Sequence, residues 1–109
     1  MATHKLLNNV GSAPRQLAGS AANIYAPSGV TGMVKTIVLH NTQASTTETV
    51  EIFFNAATDN TRMLNVALAA GETFEWSLGH MIVLASGEVL KGQSTNADKV
   101  NYWIFGAEE

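Results

Sequence analysis

In "TGMVKTIVLHNT" (residues 31–42), Met33, Ile37 and Leu39 fall on one face and Val34, Val38 and His40 on the other. Side chains of an extended strand alternate with a period of two, so this run predicts a long strand. "TETVEIFFNAA" (residues 47–57) repeats the pattern, with Val50, Ile52 and Phe54 on one face. The Ser- and Thr-rich loop between the two runs suits a solvated hairpin connection. "TFEWSLG" (residues 73–79) sets Phe74 and Trp76 against Thr73 and Glu75. "DKVNYWIFG" (residues 98–106) puts Val100, Tyr102 and Ile104 on one face and Trp103 and Phe105 on the other. "HMIVLAS" (residues 80–86) is nearly continuous in apolar residues, as expected of a strand buried on both faces. "NIYAPSG", "RMLNVAL" and "EVLKGQS" supply shorter strands, and Pro27, Gly29, Gly71 and Gly87 mark turns. In "RMLNVALAAG", Met63, Leu64, Ala67 and Leu68 also recur at helical spacing, but Asn65 and Val66 are middling helix formers and a strand is preferred.

Strand signals every ~8–12 residues point to an all-β protein, an antiparallel β-sandwich of jelly-roll-like type with about seven or eight strands. Residues 1–22 stand apart. They are rich in Ala, Ser, Gly and Asn, and isolated apolar residues (Leu6, Leu7, Val10 and Leu17) interrupt a polar background. This reads as an extended N-terminal arm, which fully stretched would reach roughly 70 Å, followed by a sandwich domain over residues 23–109.

Composition narrows the function. The chain is 46% hydrophobic and 14% charged, which favours a folded domain over a disordered one. A net charge of −3 with scattered basic residues argues against a nucleic-acid surface, which needs a basic face to neutralise phosphates. Cysteine is absent, so neither a disulfide framework nor a thiolate metal site can form. Residues 1–20 hold no apolar run long enough for a signal peptide, and no window approaches the ~18 apolar residues of a membrane span. Cytosolic synthesis and no membrane partner are expected.

Candidate chemistry is sparse. His4, His40 and His80 are not at metal-ligand spacing, and no Gly-x-Ser-x-Gly elbow or phosphate-cradling glycine loop occurs. His40 is expected to be a strand-end histidine bonded to a loop. Glu48 and Glu51 fall on opposite faces of a regular strand, and Glu72 and Glu75 likewise, so these carboxylates read as solvated rather than as a catalytic pair. No catalytic residue, metal or cofactor is expected. Trp76 with Phe74, and Trp103 with Phe105, share faces at strand spacing and read as core. A tryptophan facing outward would instead mark a subunit interface. The arm residues Leu6, Leu7, Val10 and Leu17, together with Trp103, are the expected partner contacts.

The order of "IYAPSG", "MVKTIVLHNTQAST", "LAAGETFEWSLG", "GEVLKG" and "FGAEE" resembles a group of small bacteriophage virion proteins over about residues 23–107. The resemblance implies a β-sandwich displayed on a virion, among capsid decoration (cement) proteins and tail or neck accessories. It implies binding to the major capsid protein and to copies of itself, most often as a homotrimer, at the capsid surface after assembly in the bacterial host cytoplasm. It brings no catalytic residues. A tail, neck or fibre accessory and a small carbohydrate-binding β-domain are the competing expectations.

Overall fold

The computed structural model describes residues 5–7 and 15–109. In chain order the strands are β1 (Lys5–Leu6), β2 (Arg15–Gln16), β3 (Ala22–Tyr25), β4 (Gly32–Asn41), β5 (Glu48–Phe54), β6 (Arg62–Leu68), β7 (Thr73–Leu84), β8 (Leu90–Ser94) and β9 (Val100–Glu108). A 3-10 turn, Asp59–Thr61, precedes β6. "RMLNVAL" is strand, not helix, because Leu64, Val66 and Leu68 alternate toward the core.

The strands pair as a nested series. β1 and β2 pair with β9, β3 with β8, β4 with β7 and β5 with β6, all antiparallel. Two further pairings, β4 with β9 and β5 with β8, fold this long ribbon over on itself. The result is two sheets, β1-β9-β4-β7 (with β2 also on β9) and β3-β8-β5-β6. Nested pairs wrapped into two facing sheets are the topology of a jelly roll.

Two tetrapeptides turn the chain the same way at either end of β7. In Ala69-Ala70-Gly71-Glu72 the Ala69 carbonyl accepts from Glu72 N at 3.0 Å, and Glu72 Oε1 accepts from Ala69 N at 2.7 Å. In Ala85-Ser86-Gly87-Glu88 the same pair of bonds measures 3.0 and 2.8 Å. Gly71 and Gly87 take φ of 74° and 97°, a region open to glycine at little cost.

The core lies between the sheets. Val34, Ile37 and Leu39 of β4, Val50 and Ile52 of β5, and Val100 and Ile104 of β9 are fully buried with Leu68, Leu84 and Leu90. Each such side chain contributes about 1.5–3 kcal/mol relative to exposure. Val34 shares the core face with Ile37 and Leu39 rather than lying opposite them with Val38 and His40. The register shifts between Val34 and Thr36, so Lys35 is an extra residue that bulges out and inverts the alternation. On β7 the same bulge sets residues 78–81 against Lys35 alone.

"TFEWSLG" and "HMIVL" form one strand, not two, and β7 is the edge of its sheet. It is therefore not buried on both faces: Met81 is 44% exposed and Val83 55%. Glu48, expected to be solvated, is fully buried. Its carboxylate accepts from Gln43 Nε2, from Asn96 N at 2.9 Å and from Asn96 Nδ2 at 2.7 Å. Beside it, buried Asn41 Nδ2 lies 2.8, 3.0 and 3.2 Å from the carbonyl oxygens of Thr46, Leu68 and Ala69. These two side chains satisfy the loop backbone at one end of the sandwich, and no buried side-chain polar atom among the described residues is left unpaired.

Candidate functional site

The outer faces of the two sheets differ in chemistry. On the β3-β8-β5-β6 sheet, Glu51 sits opposite Asn65 and Gln93, and Phe53 opposite Lys91 and Arg62. Arg62 Nη1 donates to Glu51 Oε2 at 2.8 Å, and Gln93 Nε2 to Glu51 Oε1 at 2.8 Å. The Gln93 bond, then Arg62, hold the Glu51 carboxyl below its ordinary pKa. This is the solvated polar face usual for an antiparallel sheet.

The outer face of the β1-β9-β4-β7 sheet is apolar over much of its length. Its rows follow from register. Leu6, Phe105, Thr36 and Ser77 lie side by side across the four strands. Trp103, Val38 and Glu75 form the next row, and Met33 lies opposite Val83. Asn101, His40 and Thr73 make the polar end, where His40 Nδ1 and Thr73 Oγ1 are 2.9 Å apart and Gln16 Nε2 donates to Asn101 Oδ1 at 3.2 Å. His40 thus bonds to a neighbouring strand, not to a loop. Phe105 is 39% exposed and joins Val83 as the open apolar surface of this face. Apolar residues contiguous on a solvent-facing sheet mark a contact surface rather than a core.

The five sequence-expected contacts divide. Leu6 and Trp103 are brought together on this face, Leu6 directly opposite Phe105 and Trp103 opposite Val38. Leu7 packs partly buried against the core. Leu17 is 1% exposed within this chain's own core, so its side chain is not open to a partner. Val10 lies outside the described residues. The described parts of the N-terminal segment run along β9 as β1 and β2. Trp76 faces inward, opposite Ile37, and Phe74 opposite Leu39. Met33, Val38 and Val83 of the face were not singled out from sequence. The available signal was Lys35, a charge on the nominal face of Ile37 and Leu39, which betrays the bulge.

A groove at the other end of the molecule is lined by Arg15, Asn23, Tyr25, Tyr102 and Glu108. Tyr25 Oη donates to Glu108 Oε2 at 2.6 Å and Lys5 Nζ approaches Glu108 Oε1 at 2.9 Å, so its carboxylate is already engaged. Burial, then the Glu108 bond, push the Tyr25 hydroxyl far above its ordinary pKa, and the same two partners hold Glu108 below its own. Among the described residues no three His, Cys, Asp or Glu side chains converge, and no helix is long and apolar enough to cross a membrane.

Comparison with known proteins returned no matching family model, no matching curated protein and no matching solved structure.

Proposed function

We propose that this chain is a structural protein of a bacteriophage virion, a capsid decoration (cement) protein that lies on the outer shell, bridges subunits of the major capsid protein and stabilises them. The observation that carries the reading is the apolar outer face built from Leu6, Met33, Val38, Val83, Trp103 and Phe105. Such a face suits permanent coverage by another protein surface, with aromatic residues at its centre and polar groups such as His40 and Asn101 at its margin. The jelly-roll topology and the resemblance of the order of sequence stretches to that of small virion proteins support the same reading, while the fold alone would leave the role open.

The deciding experiment is quantitative mass spectrometry of purified virions, giving the ratio of this chain to the major capsid protein. A ratio near parity is expected. A few copies per particle would move the protein to the tail, neck or fibre, and absence from the particle would overturn the virion reading. In the last case a titration of Trp103 fluorescence with glycans tests the carbohydrate-binding reading.

A further inference from the structure

The two sheets both end on the same side of the sandwich, at β6 and β7. β7 is paired along one edge, to β4, and β6 along one edge, to β5. Their other edges present backbone N–H and C=O groups that no strand among the described residues takes up. The side chains along this seam point inward yet remain only partly buried: Leu64 and Val66 from β6, and Phe74, Trp76 and Leu78 from β7. The core therefore runs out to an open edge. β7 carries neither Lys nor Pro, two of the devices that guard exposed edges against pairing. Its bulge over residues 78–81 leaves the half from Thr73 to Ser77 regular.

We infer that the β6–β7 edge binds a second copy of this chain, β7 against β7, antiparallel across a two-fold axis at Ser77, so that the regular half Thr73–Ser77 of each copy lies along residues 77–81 of the other. The chemical complement of an unpaired strand edge is another extended strand, and an antiparallel β7 supplies one without requiring a second kind of surface. The same contact covers the half-buried seam of each copy with that of the other. β7 holds one carboxylate, Glu75, in its first half and one imidazole, His80, in its second, so an antiparallel partner brings the acidic half of each copy toward the imidazole half of the other. The size is sufficient. An edge roughly 30 Å long and about 20 Å thick removes about 1,200 Å² in total, at the lower end of specific interfaces. This contact is separate from the outer face and stands whether or not that face binds a capsid.

The test is light scattering of the full chain after size exclusion, where a mass of twice 11.6 kDa is expected. The Thr73→Lys/Ser77→Lys double variant adds edge lysines at exposed positions and is expected to give the monomer mass with an unchanged circular dichroism spectrum. The chain has no cysteine, so Ser77→Cys offers a single thiol, and oxidation is expected to link two copies through it. A monomeric or trimeric wild type overturns the inference. So does a dimer that survives both lysines and gives no Ser77→Cys crosslink.

Discussion

Tyr25 donates its hydroxyl hydrogen to Glu108 over 2.6 Å, joining two residues 83 apart in sequence. The bond crosses from the sheet containing β3 to the sheet containing β9, and Lys5 of β1 closes on the same carboxylate. One acidic side chain therefore ties three strands and both sheets at the end opposite the Asn41–Glu48 network. Tyr25→Phe keeps the ring and removes the bond. A hydrogen bond to a charged group is worth about 1.5–3 kcal/mol, so the variant should lose about 2 kcal/mol in urea unfolding while keeping its far-ultraviolet spectrum.

The same contacts set an acid limit on stability. Glu108 is held below its ordinary pKa by Tyr25 and Lys5, and Glu51 by Gln93 and Arg62. A carboxyl depressed in the folded state contributes stability that is fully present above its unfolded pKa and is lost as pH falls through the folded value. Unfolding midpoints should be flat near neutrality and fall below about pH 4.3. In the Glu51→Gln/Glu108→Gln variant the neutral-pH midpoint should drop and the acid limb should flatten. An acid limb as steep as wild type would show that other carboxyls govern it.

Two glycines on the same sheet should respond oppositely to alanine. Gly106 lies opposite Val34, beside the Lys35 bulge, where a Cβ would overlap the Met33 carbonyl. The obstacle is backbone, so β9 must separate from β4 to admit it. Gly106→Ala should cost about 3 kcal/mol or more. Gly79, in the β7 bulge, has open space where a Cβ would go. Gly79→Ala should stay within about 0.5 kcal/mol of wild type. Denaturant midpoints of the two variants check both.

Leu17 gives the N-terminal segment a second role. Its side chain is sealed against the core, in contact range of Gly92, while Leu6 is on the outer face. Leu17→Ala should cost about 2–5 kcal/mol as a cavity in packed core. Leu6→Ala should cost less than half as much. A truncation that removes Leu17 should thus unfold or strongly weaken the domain, whereas one that ends before Arg15 should leave a cooperative transition in calorimetry.

What the sequence disclosed follows from where its physics is local. Alternation in Val100 to Phe105 is unbroken in the fold, so the division of β9 into two faces was legible, but the expectation that Trp103 and Phe105 belong to the core is overturned: their face is the outer one, because no second layer covers it among the described residues. At Lys35 the period of two fails, because one bulged residue moves Val34 to the core side. The charge in an apolar row was the visible sign. The continuous apolar run of β7 reads alike whether a strand is buried on both faces or carries an exposed contact face, and sheet order decides which. Glu48 was unreadable for another reason: the donors that make its burial tolerable come from Gln43 and from Asn96, 48 residues away. The candidate face itself is assembled by register across four strands, which no window along the chain contains.

Trp103 offers a direct readout of that face. Its register partner is Val38 and its same-side neighbour is Phe105, and Trp76, the second indole, faces inward. Trp76→Phe therefore leaves a single reporter on the outer face, with the half-buried position filled by a smaller ring. Coverage of the face by a protein surface removes water from this indole, so its emission should shift to the blue and acrylamide quenching should fall when capsid shells are added. Phe105→Asp places a charge in the centre of the apolar patch at a position 39% exposed. Surface substitutions of this kind change stability by about 0.5 kcal/mol, so the variant should fold. A buried unpaired charge at the centre of an interface costs several kcal/mol, enough to lower affinity at least about a hundredfold. Sedimentation with shells measures the loss. Equal sedimentation of Phe105→Asp and wild type would move the contact away from this sheet.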